Sequence, residues 1–320
     1  MGTQPELHVA SNIYTGSFPR FERPKIIGFI GLENIKYARR IQEGKVRFDL
    51  NLHYDKAVHK PEDLDVKLTD LLKFLLQNEA RLSFPLESSL DKAQFFCYRG
   101  LMTCVACTPY ENKEPWKIVA VLLRGNIYLC AHKPNVEPNP DEPVDENEEF
   151  SLVFTTHLKN HRIVYGAEMD GICCNRQEVS EPPSKDQGVE SIVDYLSTKE
   201  FVELKTNRHI QHPNQERSFR RFKTKKWWCQ SFLVGVDSIL CGLRNDDGIV
   251  EQLKIFSKFW NPNICFNFLE NFFSHVKRCL ARKIRRIHGE QALNNLQTLP
   301  MINIMFEWTP GMPVVVNENY

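Results

Sequence analysis

Two short triplets place four side chains where they could work together: Glu168-Met169-Asp170 and Glu203-Leu204-Lys205. Each sits in strand-like text, with Ile163-Val164-Tyr165 leading into the first and Phe201-Val202 into the second. Side chains alternate faces along a strand, so Glu168 shares a face with Asp170, and Glu203 shares one with Lys205. Met169 falls opposite the first pair. Val202 and Leu204 fall opposite the second pair and are expected to form its buried side. If the two strands are neighbours, three carboxylates and one ammonium converge. Like charges that close repel, and burial raises their pKa values, unless a cation joins them. A hard divalent ion with oxygen ligands, Mg²⁺ or Mn²⁺, answers that need. A lysine beside it can hold a phosphate or polarise a water. Glu-x-Lys alone is common on solvated strand faces, so the pattern needs support from the rest of the chain.

The totals set the frame for those residues. The chain has 320 residues, long enough for a substantial core. Lys and Arg number 41 against 40 Asp and Glu, so any nucleic-acid surface must come from uneven distribution. The longest apolar runs are far too short to span a membrane. The N-terminus lacks the basic, apolar and small-residue succession of a secretory signal. Ten cysteines then read as reduced thiols of a cytosolic or nuclear protein. Cys104 and Cys107 form a lone Cys-x-x-Cys with no second ligand pair at suitable spacing, so both are expected to be buried structural residues. Cys173 and Cys174 read the same way.

Several elements must position the triplets. Leu64, Leu68, Leu71, Leu72 and Leu75 predict a core-packing helix from Pro61 to Arg81. Phe95 to Ala106 is apolar apart from Arg99-Gly100, where the arginine is solvated by snorkelling, paired with a carboxylate, or placed for phosphate recognition. Ile118 to Leu123 and Ile127 to Cys130 predict a hairpin around Arg124-Gly125-Asn126. The stretch 134–149 is a Pro-, Asp- and Glu-rich loop with solvated acids, and 150–158 is a strand. Ser238 to Phe256 predicts a second hairpin, turning at Asp247-Gly248. Residues 264–287 predict a long helix with Phe268, Phe272, Val276 and Leu280 on its apolar stripe. No Gly-x-Gly-x-x-Gly or Walker sequence occurs, which removes support for a Rossmann or P-loop nucleotide site.

From Arg217 to Val234, Arg217, Arg220, Arg221, Lys223, Lys225 and Lys226 interleave with Phe219, Phe222, Trp227 and Trp228. The stretch predicts a helix ending near Gly235. Basic residues mixed with aromatics fit a nucleic-acid face through phosphate pairing and base stacking. They equally fit an amphipathic helix with aromatic core and solvated cations, and one helix can do both. Gln230 follows Lys223 by two turns.

With these stretches in hand, the sequence resembles the DXO family of RNA 5′-end decapping and exonuclease proteins. The carrying residues are Tyr98-Arg99-Gly100, Thr108-Pro109-Tyr110-Glu111-Asn112, Glu168-Met169-Asp170, Glu203-Leu204-Lys205-Thr206, Lys226-Trp227-Trp228-Cys229-Gln230-Ser231-Phe232, Gly242-Leu243-Arg244-Asn245 with Gly248, and Trp308-Thr309-Pro310-Gly311. They run in family order through nearly the whole chain. The resemblance implies an α+β fold of two mixed β-sheets with flanking helices around a deep pocket, on a PD-(D/E)XK-like nuclease core. It implies an N-terminal extension over 1–23 and one catalytic domain over 24–320. It implies one or two Mg²⁺ or Mn²⁺ ions on Glu168, Asp170, Glu203 and the carbonyl of Leu204. Lys205 and Gln230 would touch the scissile phosphate region, Arg99 would grip substrate phosphate, and Tyr98, Gly100, Lys36 and Ser151 would fall at further substrate positions. The implied activity is removal of NAD caps, incomplete caps or pyrophosphate from RNA 5′ ends, with 5′→3′ digestion in some members. An Xrn-type exoribonuclease as partner and a nuclear or cytoplasmic location go with it. One departure stands out: the family's Gly-Tyr-Lys-Phe-Glu motif, which carries another metal-site glutamate, is missing before Tyr128-Leu129-Cys130. A weakened enzyme, or a protein that binds RNA ends without cleaving them, is the alternative this opens.

Overall fold

The computed structural model describes residues 6–31, 44–51, 68–132, 150–172, 183–256 and 262–318. The strands are β1 (Lys25–Ile30), β2 (Gly44–Asp49), β3 (Phe95–Tyr98), β4 (Trp116–Leu123), β5 (Asn126–His132), β6 (Ser151–Leu158) and β7 (His161–Glu168). They continue with β8 (Gly171–Ile172), β9 (Phe201–Arg208), β10 (Ile239–Arg244), β11 (Ile249–Phe256), β12 (Ile302–Trp308) and β13 (Val315–Asn317). The α-helices are α1 (Thr69–Gln77), α2 (Glu79–Leu82), α3 (Arg99–Cys107), α4 (Val189–Ser197), α5 (Pro213–Ser218), α6 (Thr224–Leu233) and α7 (Asn263–His288). One sheet runs β1-β6-β7-β3-β5-β4-β12-β13 and the other β2-β11-β10-β9-β8. Both are mixed: β3 is parallel to β5 and β7, and β9 is parallel to β10, while the remaining pairs are antiparallel. The α+β architecture of two mixed sheets expected from the sequence is therefore present.

The long apolar stripe makes the main core. Phe268, Phe272, Val276 and Leu280 of α7 are fully buried, as are the strand residues Phe95, Ile118 and Phe306 they pack near. The rings of Phe95 and Phe273 lie 4.5 Å apart. Each such phenylalanine contributes on the order of 2 kcal/mol of burial. The basic half of α7 serves packing: Arg282 and Arg286 pair with Glu318, and the Lys283 ammonium donates to the carbonyls of Asn303 and Glu318. Residues ahead of β1 join the same body, with Leu7 and Val314 exchanging backbone hydrogen bonds. No helix among the described residues is long and apolar enough to cross a membrane.

The predicted hairpins form. Leu123 opposes Asn126 across a two-residue turn, with Arg124 at φ 50° and Gly125 at φ 81°. Two positive φ values match the right-handed twist of the flanking strands. A Cβ on Gly125 would fall 1.9 Å from the carbonyl oxygen of Glu87, so only glycine fits. The helix expected over Pro61 to Arg81 breaks at Asn78 into α1 and α2, and its start, including Leu64, lies outside the described residues. The apolar block at 95–106 divides at Arg99 into strand and helix.

Candidate active site

The two sheets meet at the first acidic triplet. Glu168 ends β7 opposite Ser151 of β6, and three residues later the chain starts β8 in the other sheet. Met169 is buried at this step, and its N–H donates to the carbonyl of Phe150. β8 then pairs with β9, Gly171 against Val202. The strand carrying Glu168 is thus not the neighbour of the strand carrying Glu203; the short β8 makes that contact, and Asp170 lies between the sheets.

The faces of β9 are the reverse of the expectation. Glu203 is 2% exposed and Leu204 39%. The strand's inner face carries Phe201, Glu203 and Asn207, because cations from the facing helices donate hydrogen bonds to its polar groups. The Arg99 guanidinium, at the start of α3, donates to Glu203 at 2.9 Å. The Lys205 ammonium lies 2.6 Å from the other Glu203 oxygen and 4.0 Å from Asp170. Lys223 donates to Asn207 at 3.0 Å. The carboxylate pairing expected as one reading of Arg99 is present.

Asp170 accepts a hydrogen bond from the Leu204 N–H at 2.7 Å. Along an extended strand one residue's N–H and C=O face the same edge, so the Leu204 carbonyl also looks toward Asp170. Burial, and then the charge of Glu203, push the Asp170 carboxyl above the ordinary range; the Leu204 N–H, Lys205 and Arg99 oppose that rise. A crowded pair of hard oxygen donors with a raised pKa is the chemistry a divalent ion relieves. Glu168, Asp170, Glu203 and the Leu204 carbonyl therefore fit such an ion in donor type. Their carboxylate oxygens do not gather as a set of three within 4.8 Å, and Lys205 stands between Asp170 and Glu203.

The basic stretch is one helical run with a π-helical segment, Phe219–Lys223, between α5 and α6. Such segments are frequent at functional sites. It divides the cations. Lys223 and Lys226 line an open recess of about 450 Å³ with Leu204, Lys205, Thr206 and Trp227. Arg220 pairs with Glu216, and both border a separate cavity with Phe219 and Lys254. Arg217 donates to Asn214. Arg217 and Arg221 are exposed, but neither lines the recess. Lys225 turns inward, its ammonium 3.0 Å from the centroid of the Tyr110 ring. Gln230, half-buried, follows Lys226 by one turn and is not among the recess residues.

The remaining expected positions are scattered around this centre. Tyr98 precedes Arg99, and its hydroxyl accepts from the Leu71 N–H at 3.3 Å. Gly166 leaves room for that ring, since a Cβ there would meet it at 2.7 Å. Gly100 has open space where a Cβ would stand. Lys36 and the acids Asp141, Glu142, Glu148 and Glu149 lie outside the described residues, as do Cys173 and Cys174.

The reading of Cys104 and Cys107 as a buried pair is corrected. Cys104 is exposed, and Cys107 instead meets Cys229 and Cys265. The sequence separations of 122 and 36 residues carry no signal of that contact.

Comparison with known proteins bears on this geometry. The model of the RAI1 like PD-(D/E)XK nuclease family matches residues 29–139 and 131–299. The chain is 28% identical to the decapping and exoribonuclease protein of Bos taurus over 378 residues, covering 98% of this chain and 86% of that one. It is 29% identical to the protein of the same name from Homo sapiens over 376 residues, covering 98% and 85%. Among solved structures, S. pombe Rai1 in complex with 3′-FADP superposes with a TM-score of 0.67 at 16% identity, over 99% of this chain and 100% of that one. Candida albicans Rai1 in complex with pU5-Mn2+ gives 0.64 at 17%, over 99% and 94%; at such identities these speak for the fold. The bovine alignment is longer than this chain, so residues there have no counterpart here. The two matched stretches overlap at 131–139, directly after the tight β4–β5 hairpin where Gly-Tyr-Lys-Phe-Glu is missing. The family match spans most of the sequence and takes in both acidic triplets and the basic stretch: the chain belongs to the RAI1-like PD-(D/E)XK nuclease family.

Proposed function

We propose that this chain is a divalent-metal-dependent hydrolase of RNA 5′ ends, removing NAD caps, incomplete caps or pyrophosphate, with 5′→3′ digestion as a further activity of the same site. The observation that carries this is the recess where Lys205, Lys223 and Lys226 surround a space of about 450 Å³, beside the Asp170 and Glu203 carboxylates. Three cations on one recess attract phosphate groups. The names of the relatives, decapping and exoribonuclease protein, support the substrate class. Manganese in the C. albicans and K. lactis structures supports a divalent ion.

Glu168, Asp170, Glu203 and the Leu204 carbonyl would hold Mg²⁺ or Mn²⁺, as one ion or two. When bound, such an ion supplies Lewis acidity at phosphoryl oxygen and makes water a better nucleophile at neutral pH. The chain's own groups do the rest. Arg99 fixes the orientation of Glu203. Lys205 is placed to neutralise charge that grows on the phosphoryl group. Lys223 and Lys226 hold neighbouring phosphates, with Ser151 and Gln230 flanking. A 5′-monophosphate RNA released here is a substrate for an Xrn-type exoribonuclease, the proposed partner, in a nuclear or cytoplasmic setting.

A second reading, an RNA 5′-end-binding protein of the same fold, is favoured by one observation: the closed β4–β5 hairpin leaves no place for the missing glutamate. Incubating 5′-triphosphate, NAD-capped and 5′-monophosphate RNAs with Mn²⁺ and analysing products separates the two. Released NAD or pyrophosphate, lost in Asp170→Asn, supports the hydrolase. Saturable binding of the RNAs with no product supports the binder.

A further inference from the structure

Three cysteines far apart in sequence meet where α3, α6 and α7 come together. Cys107 is the last residue of α3, Cys229 lies in α6, and Cys265 lies in the first turn of α7. Their sulfurs lie within 4.8 Å of one another, the one such group of three potential ligands among the described residues. Cys229 and Cys265 are fully buried, and Cys107 is partly exposed. Each comes from a different helix: α3 and α7 pack on the larger sheet, and α6 packs on α3 and on β10 of the smaller one. Lys225, over the Tyr110 ring, is within electrostatic reach of all three sulfurs.

We propose that Cys107, Cys229 and Cys265 form a structural site for a soft divalent cation of the zinc class. Tetrahedral coordination with metal–sulfur bonds of about 2.3 Å needs sulfurs about 3.8 Å apart. Small side-chain rotations close the present spacing to that value. Three thiolates and one divalent ion leave a net charge of minus one, which the Lys225 ammonium cancels. Three protein ligands leave a fourth position for water, on the side where Cys107 reaches the surface. Thiolates select this class of ion and not Mg²⁺ or Mn²⁺, which prefer the carboxylates and carbonyl of the candidate active site. The two sites therefore sort metals by donor type. Arg99 and Cys107 are the two ends of α3, about 12 Å apart at 1.5 Å per residue. A cation holding Cys107 thus fixes the helix that presents Arg99 to Glu203.

The test uses the full chain, stripped of metal by a chelator under reducing conditions and titrated with Co²⁺. One cobalt per chain with sulfur-to-cobalt charge-transfer absorption in the near ultraviolet is expected, bleached by Zn²⁺ but not by Mg²⁺. Cobalt on the carboxylates would give no such band. Cys107→Ser, at the partly exposed position, should cut the band by about a third or abolish it, and Cys229→Ser should do the same. Cys104→Ser, at the exposed neighbour, should leave it intact. No band in the folded wild-type chain overturns the proposal, as does an undiminished band in Cys107→Ser. A disulfide among the three that persists under reduction and blocks cobalt also overturns it.

Discussion

The guanidinium of Arg99 and the carboxylate of Glu203 meet at 2.9 Å, where helix α3 reaches the inner face of strand β9. Both side chains are withdrawn from water, with Arg99 8% and Glu203 2% exposed. Removing one member of such a pair strands the other's charge, at a cost of roughly 3–5 kcal/mol. Lys205 remains 2.6 Å from Glu203, so Arg99→Ala should lose about 3 kcal/mol, the lower end of that range. Urea unfolding measures the loss. Adding Glu203→Gln to Arg99→Ala should restore part of it, and strict additivity of the two changes would contradict a direct pair.

Asp170→Asn should separate stability from activity. The folded carboxyl has a raised pKa, through burial first and Glu203 second. Its stabilising contribution is present below the unfolded pKa and is lost as pH rises through the raised folded value. At pH 7 the ionised form is therefore a burden on the fold, and a neutral amide can still accept from the Leu204 N–H. The variant should melt at a higher temperature than wild type at pH 7 while losing roughly 100-fold or more in phosphodiester hydrolysis. A lower melting temperature at that pH would count against the crowding described at this carboxylate.

Glu270 should govern the acid side of stability. His161, together with Lys159 and Ser274, holds its carboxyl down at about 2 from an ordinary 4.5. A depressed carboxyl contributes stability above its unfolded pKa and loses it as pH falls through the folded value. The loss should run between about pH 4.5 and 2. Glu270→Gln should cost on the order of 2 kcal/mol at pH 6, with little difference from wild type near pH 2. Chemical unfolding at the two pH values reads this directly.

Lys226→Ala and Arg217→Ala should behave differently, although both residues belong to one basic stretch. Lys226 lines the recess and Arg217 does not. Losing a phosphate-pairing cation lowers the salt dependence of RNA binding by about one unit of log–log slope. Fluorescence anisotropy with a 5′-phosphorylated oligoribonucleotide across a salt series should show that change for Lys226→Ala and almost none for Arg217→Ala. Equal changes would move the RNA path along the helix, away from the recess.

Much of the scaffold was legible because its signals are local. The α7 stripe at Phe268, Phe272, Val276 and Leu280, and the hairpins at Gly125 and Gly248, follow from helical period and turn chemistry alone. The faces of β9 were not legible. Leu204 reads as the buried residue, yet Glu203 is the one inside, because Arg99, 104 residues earlier, neutralises it there. The ordered motifs named Asp170, Glu203 and Lys205, which the structure brings together. They could not show that Asp170 belongs to the crossing between sheets and not to the strand of Glu168. The thiol trio was equally hidden, since no periodic pattern links α3, α6 and α7.

Gly125→Ala should damage the fold out of proportion to its size. The position has a φ of 81°, and an added Cβ would press on the Glu87 carbonyl at 1.9 Å. Backbone strain of this kind costs about 1–3 kcal/mol, and the carbonyl contact adds to it. A melting temperature lower by several degrees is expected, and an unchanged one would mean the turn relaxes freely.

Glu168 rides on the end of β7 in one sheet, and Glu203 with Lys205 rides on β9 in the other, joined through Met169 and Asp170. The acids of the candidate centre thus belong to two separate slabs, with a seam running through them. A shift of one slab against the other would change the Glu168–Glu203 spacing, while the hydrogen bond from the Leu204 N–H ties Asp170 to β9. Whatever clamps the slabs together from outside, a grasped nucleic acid included, would therefore set the grip of the acids at the seam.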